Sequence, residues 1–239
     1  MKIDLLYSDE HLLVVNKPAG LLSIPDRFDP ELPSLSHVLG RKIQGPILPL
    51  HRLDRPTSGL ITFARTTDAQ RELSRQFEER SVKKIYLALV EGRPHEPEGL
   101  VDQAIAPHPS KLGKMMVSAK GKSAQTKYQV VDFFGGFSLL EIELLTGRTH
   151  QIRVHLSYIG HPLLVDEHYG NRSSFLLSTV KGRRYRLKKG EEERPLLARA
   201  PLHAAKLGFH HPVSGELLSF EREIPKDMRA TINQLKKLN

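Results

Sequence analysis

Ile85-Tyr86-Leu87-Ala88-Leu89-Val90 is apolar at every position. Six such residues in a row suit a strand covered by protein on both faces. A chain built round a strand of that kind must supply neighbours for both of its edges, and the sequence offers several. Leu12-Leu13-Val14-Val15-Asn16-Lys17, closed by Pro18-Ala19-Gly20, reads as a second buried strand entering a turn. Leu60–Ala64 reads as another. Tyr128–Val131 and Leu140–Leu144 alternate apolar and polar residues and suit half-buried strands. His203–His210 and Glu216–Glu221 flank Pro212-Val213-Ser214-Gly215 as a hairpin would.

Helices fall between these segments at irregular intervals. Thr67-Asp68 can cap a helix in which Ala69, Leu73 and Phe77 recur four apart. Thr149 is the expected N-cap of a helix reaching about Tyr158, with Ile152, Leu156 and Ile159 on one face and Gly160 and Pro162 ending it. Residues 21–46, rich in proline, read mainly as loop with one short helix, and a basic helix is expected after Pro225. Strands and helices do not alternate as βαβ units. The expected class is therefore α+β, with a mixed, largely antiparallel central sheet flanked by helices. No repeat or linker divides the chain, so residues 1–239 are expected to form a single domain.

Composition narrows the chemistry. The chain has 36 Lys+Arg against 27 Asp+Glu, a formal charge of +9, which favours phosphate-rich partners. It has no cysteine, which excludes disulfides, thiolate catalysis and cysteine-bound zinc. The first ten residues are too acidic and interrupted for a signal peptide, and no apolar run approaches the ~18 residues of a membrane span. A cytoplasmic location is expected, with no membrane partner, and a monomer is the default.

His51-Arg52-Leu53-Asp54-Arg55-Pro56-Thr57-Ser58-Gly59-Leu60 carries the strongest chemical signal. Two guanidinium groups flank one carboxylate and favour its ionised form, and the turn behind it fixes the backbone. A charged, positioned acid on a basic protein suits a nucleophile or base acting on an anionic substrate. On this decapeptide alone a solvated loop acid fits equally well. Lys83-Lys84-Ile85-Tyr86 places a phenol at the mouth of the buried strand, where Tyr86 is either a core aromatic with a wet hydroxyl or a ring that stacks on a base. Arg148 and Arg153 lie at a helix start, whose unsatisfied amides welcome phosphate or carboxylate. Two lysine- and arginine-rich runs stand out as solvated loops or phosphate-tracking loops. One holds Lys111, Lys114, Lys120, Lys122 and Lys127, and the other spans Lys181–Lys189 ahead of Glu191-Glu192-Glu193. Histidines gather at 150, 155, 161 and 168 and at 203, 210 and 211. Their spacing fits no standard ligand pattern and few carboxylates lie near, so no metal is expected. No Walker or dinucleotide motif occurs, and no cofactor is expected.

Together these segments resemble the pseudouridine synthases of the RluA type, the ribosomal-large-subunit family. His51–Asp54 with Thr57–Leu60 is similar to its catalytic motif, Val14–Leu21 to its N-terminal motif, Lys84–Ala88 to its tyrosine motif and Gly147–Leu156 to its basic motif. Gly160–Leu163, Asp166, Tyr169-Gly170 and Leu202–Ala204 continue the pattern in order, so the resemblance covers roughly residues 5–225. It implies the pseudouridine synthase fold and cofactor-free isomerisation of uridine to pseudouridine in structured RNA, either large-subunit rRNA, tRNA or both. Asp54 matches the catalytic aspartate, which attacks the anomeric carbon, attacks the uracil or removes the ribose 2′ proton. Arg153 matches the residue that pairs with it, and Tyr86 the one that packs on the target base. Arg52 matches a residue that displaces the flipped nucleotide. Lys17, Arg55, Arg148 and His150 join Arg52 as expected RNA-binding residues.

Two departures are informative. The small N-terminal RNA-binding module of many relatives is not expected here, because the first strand begins within the first dozen residues. Residues 171–199 look like a basic insertion, and Arg183, Arg184, Arg186 and Lys188 within it are expected to bind RNA. The rival readings are a catalytically silent RNA-binding protein of the same fold and a metal-dependent hydrolase built on the histidines.

Overall fold

The computed structural model describes residues 3–187 and 190–238. Along the chain run β1 (Asp4–Ser8), β2 (Leu12–Lys17), α1 (Leu35–Gly40), β3 (Leu48–Pro49), β4 (Ser58–Ala64), α2 (Thr67–Glu78) and β5 (Lys83–Glu91). There follow β6 (Glu98–Asp102), β7 (Ile105–Pro107), β8 (Met115–Val117), β9 (Gln125–Phe134) and β10 (Phe137–Leu144). The chain ends with α3 (Gln151–Tyr158), α4 (Leu177–Lys181), β11 (Leu202–His210), β12 (Leu217–Glu221) and α5 (Lys226–Leu235). The chain divides into two compact units, one of residues 1–86 with 203–223 and one of residues 87–202 with 224–239.

In the first unit the strand order is β1-β2-β4-β11-β5, with β12 on β11 and β3 on β4. β4 and β11 run parallel, whereas β1/β2, β2/β4 and β11/β12 are antiparallel. This gives the mixed, largely antiparallel sheet that the patterning predicts. β4 is buried at all seven positions, as an internal strand requires. Leu12, Val14, Leu60, Leu73, Val82, Leu207 and Phe209 form the core between this sheet and α2. The helix starts one residue earlier than expected from its cap. Thr66, in extended backbone, accepts the Ala69 N–H, so Thr67 is the first helical residue and not the cap.

Asp9 organises the β1–β2 turn. Its carboxylate accepts from Tyr7 Oη (2.7 Å), the His11 and Leu12 amides (2.7 and 2.8 Å) and His211 Nε2 (2.8 Å). His211 Nδ1 accepts the Val213 and Ser214 amides, which puts the ring proton on Nε2, facing Asp9. Burial alone would push the Asp9 carboxyl up; the donors from Tyr7, Leu12, His11 and His211 outweigh it and bring it down to about 2. The unfolded carboxyl titrates near 3.8, so the stabilisation is complete above about pH 4 and is lost as the pH falls towards 2. Asp9→Asn should cost about 2 kcal/mol at pH 7 and nothing near pH 2, which denaturant melts at the two pH values will read directly.

In the second unit the order is β5-β10-β9-β6, with β7 and β8 forming a separate two-stranded sheet. β9 and β10 pair antiparallel, as do β6 and β9. Leu89, Phe134, Leu164, Val165, Phe175, Leu197, Met228 and Ile232 make its main core. The segment read as an insertion is anchored at both ends. Phe175 and Leu197 are buried in that core and bridge each other antiparallel, and Arg199 grips Asp227 through two nitrogens at 2.6 and 2.9 Å. Among the described residues no helix is long and apolar enough to cross a membrane.

Candidate active site

Asp54 opens a turn closed by the Thr57 amide, which donates to the Asp54 carbonyl at 3.0 Å. β4 begins immediately afterwards at Ser58, so the carboxylate stands at the entrance of the most buried strand of its unit. The segment from Lys17 to Ser23 clamps this turn. Gly20 N–H donates to the Arg55 carbonyl at 2.8 Å, and Arg55 Nε returns a bond to the Gly20 carbonyl at 3.1 Å. Ser23 Oγ donates to the Leu53 carbonyl and accepts the Leu53 amide, both at 2.9 Å.

Lys17 is the correction in this group. Its side chain has no exposed surface, and its ammonium donates to the carbonyls of Pro18 (3.1 Å), Leu21 (2.7 Å) and Arg55 (3.3 Å). A lysine buried in that way ties two loops together and cannot reach a phosphate. Its position carried a signal: Lys17 shares strand parity with the buried Leu13 and Val15.

Tyr86 lies in the same unit and is buried. Burial pushes its hydroxyl up, and the Asp54 charge adds to the effect, so the two side chains sense each other and the phenol stays protonated at neutral pH. Arg52 is exposed beside Asp54, as is Arg55, whose Nε is engaged by Gly20. His51 was not singled out by the sequence reading, although it opens the motif. Its Nε2 accepts the Thr62 amide at 3.2 Å, and its ring lies 4.8 Å from Phe77. Burial, reinforced by the Lys84 charge, brings the His51 imidazole down to about 3 and keeps it neutral. A neutral ring with Nε2 accepting holds its proton on Nδ1.

The basic motif lies in the second unit. Arg153 is buried and forms a two-pronged pair with the buried Asp166, Nε to Oδ2 at 2.7 Å and a terminal nitrogen to Oδ1 at 2.8 Å. Burial would raise the Asp166 carboxyl, but Arg153 and the His168 and Tyr169 amides lower it. The Arg153 guanidinium also sits 5.0 Å above the Tyr169 ring. Tyr169 Oη bonds His150 Nδ1 at 2.8 Å and accepts the Met115 amide, which joins α3's entrance to the β8 hairpin. His150 is the residue preceding α3, in left-handed backbone with φ 56°, and its side chain caps nothing. Thr149 is therefore not the cap. Gln151, the first residue of α3, instead ties down the segment before the helix: its Oε1 accepts the Arg148 amide at 3.0 Å while its amide nitrogen donates to the Gln125 carbonyl and Thr126 Oγ1. Arg148 itself is half-buried, with Nε on the Ser123 carbonyl.

Two further histidines are engaged within the fold. His155 is buried between Thr126 Oγ1 and the Gln103 carbonyl, both at 2.9 Å, and His203 Nδ1 meets Ser58 Oγ at 3.0 Å. Among the described residues no three His, Asp or Glu side chains come together as a metal would need. Arg183, Arg184 and Arg186 are exposed or nearly so. Lys188 lies outside the described residues.

The family model for RNA pseudouridylate synthase matches residues 11–158. The chain is 40% identical to ribosomal large subunit pseudouridine synthase D of Nitrosomonas europaea, over 99% of this chain and 66% of that protein. It is 39% identical to the dual-specificity RNA pseudouridine synthase RluA of Salmonella typhi, over 93% of each chain. Against the first of these, the chain spans about two thirds of the relative's length. The solved structure of human RNA pseudouridylate synthase domain containing 4 superposes with a TM-score of 0.74 at 26% identity, covering 98% of this chain and 93% of that one.

Proposed function

The chain belongs to the RNA pseudouridylate synthase family, and on that premise we propose that it isomerises uridine to pseudouridine within structured RNA. In this reaction the bond from uracil N1 to the ribose C1′ breaks and a bond from C5 to C1′ forms. N1 gains a proton and C5 loses one, so no cofactor is consumed. The single observation that carries the reading is the pairing of a turn-presented carboxylate, Asp54, with the buried, protonated Tyr86, at the positions that the family resemblance assigns to catalysis. Asp54 supplies the charged oxygen for the glycosidic step. Tyr86 acts as a neutral ring and phenol beneath the base, because burial, with the Asp54 charge adding to it, makes a phenolate costly. Arg153, held by Asp166 through two hydrogen bonds, is the cation that the family resemblance assigns to the site. Residues 1–239 serve as one catalytic domain, acting as a cytoplasmic monomer on large-subunit rRNA, tRNA or both. The names of the relatives speak of the ribosomal large subunit and of dual specificity for RNA.

A stacked uridine hides its sugar, so the target must be flipped out at a cost of a few kcal/mol, which loops and weak pairs reduce. Arg52 stands exposed beside Asp54 and is suited to filling the vacated place. Arg55, Arg148 and His150 serve RNA binding. The test is release of tritium from uridine C5 in unmodified tRNA and large-subunit rRNA transcripts. Release by the wild type supports the synthase. RNA binding with no release from either transcript or from total RNA of cells lacking the protein supports the silent binder.

The insertion supplies phosphate contacts in the same reading. Glu193, in the acidic run that follows the basic one, accepts the Ser178 amide at 2.7 Å. Arg183, Arg184 and Arg186 make no ion pair among the described residues. Replacing these three arginines with glutamine should lower RNA affinity and reduce the slope of log affinity against log salt by about 2, as expected when three phosphate contacts are lost. An unchanged slope in a filter-binding titration would remove the insertion from the RNA interface.

A further inference from the structure

Thr57 is the residue of the Asp54 turn whose side chain has no partner. Its hydroxyl is buried, with 2% of the residue exposed, and makes no hydrogen bond. Among the described residues three other buried side-chain atoms share this condition, on Arg65, Glu91 and Arg172, but each of those side chains has another polar atom engaged. The contrast within the turn is sharper. Lys17 donates to three carbonyls, Ser23 bonds Leu53 twice, and Ser58, the next residue, meets His203. A network that satisfies every neighbouring group leaves one hydroxyl idle, and an idle buried hydroxyl costs stability that a methyl group of the same shape would not.

The geometry of the turn says what the hydroxyl can serve. Thr57 N–H closes the turn on the Asp54 carbonyl, so these are the first and last residues of a β-turn, with Cα atoms less than about 7 Å apart. Cα atoms this close bring the side chains of the first and last positions of a turn into the same neighbourhood. We propose that Thr57 is a positioning residue whose hydroxyl is held in reserve for the Asp54 carboxylate and donates to it when RNA enters. One carboxylate oxygen then meets the reacting nucleotide while the other is fixed by the threonine. A donor on the ionised form favours that form, and the bond forms only in the loaded enzyme, where it can be spent on the reaction.

The inference rests on the synthase reading, so the experiment separates the two. Wild type, Thr57→Val, Thr57→Ser and Asp54→Asn are compared in single-turnover tritium release, across pH, alongside thermal melting and RNA binding. The expected result has four parts. Thr57→Val melts at or above the wild-type temperature and binds RNA as tightly. Its single-turnover rate falls about tenfold, the worth of one hydrogen bond to a charged group. The acid limb of its rate profile moves to higher pH, and Thr57→Ser restores both rate and limb. A Thr57→Val protein with the wild-type rate and profile overturns the inference while leaving the synthase intact. So does a slow Thr57→Val protein whose acid limb has not moved, because the hydroxyl then acts on packing alone. Absence of release from the wild type on every RNA overturns the synthase reading itself.

Discussion

Asp54→Asn should abolish tritium release, by about 10³-fold or more, while the protein folds and binds RNA as before. The substitution is nearly isosteric and removes only the charge and nucleophilicity of one group, whose loss in positioned acid–base or nucleophilic roles typically costs 10²- to 10⁴-fold. The turn around it is held by backbone atoms and by Lys17, Ser23 and Arg55, none of which needs the carboxylate. A second readout follows from Tyr86. Burial and the Asp54 charge both push its hydroxyl up, so removing the charge leaves burial alone and the phenol ionises at lower pH. Ultraviolet titration of tyrosine in the two proteins will show that displacement. Retention of more than a tenth of the wild-type rate would mean that another group performs the step.

Gly59→Ala should destabilise the first unit by about 4 kcal/mol, the sum of two independent penalties. Gly59 has φ +115°, a conformation that an L side chain resists. A Cβ there would stand 2.3 Å from the Ala204 oxygen, 2.5 Å from its nitrogen and 2.8 Å from its carbonyl carbon. These are backbone atoms of β11, paired in parallel with β4 at this point, and they cannot rotate aside. Relief requires the two strands to part where Ser58 meets His203. The site suffers with the fold, because β4 begins four residues after Asp54. Denaturant melts will measure the loss, and a midpoint within experimental error of the wild type would show that the strands can separate at little cost.

Local patterns made much of this architecture legible. The alternation and apolar runs placed β2, β4, β5, β9 and β10, and the Pro212–Gly215 turn placed the hairpin of β11 and β12. What failed did so for physical reasons. At Thr66/Thr67 the sequence offers two equivalent caps, and before α3 the left-handed backbone of His150, not a capping side chain, starts the helix; both choices are made by backbone dihedrals that propensity does not encode. Lys17 reads as a surface cation by residue type, but its strand parity turns it inward, where three carbonyls make burial tolerable. The partners of the site residues are distant along the chain: Arg153 with Asp166, Ser58 with His203 and Asp9 with His211 are pairings that only the folded topology creates. Gln151 lies inside the Gly147–Leu156 motif, yet its residue type gives no sign that it is buried and bonds the loop preceding α3.

The most direct test of the synthase reading is to digest treated RNA to nucleosides and separate them by chromatography. Incubating unmodified large-subunit rRNA and tRNA transcripts with the wild-type protein should convert a uridine into an isomer of unchanged mass and altered retention, with no such product from Asp54→Asn. Uridine left intact by the wild type in both transcripts and in total RNA from cells lacking the protein, despite tight binding, would contradict it and leave an RNA-binding protein on a synthase fold.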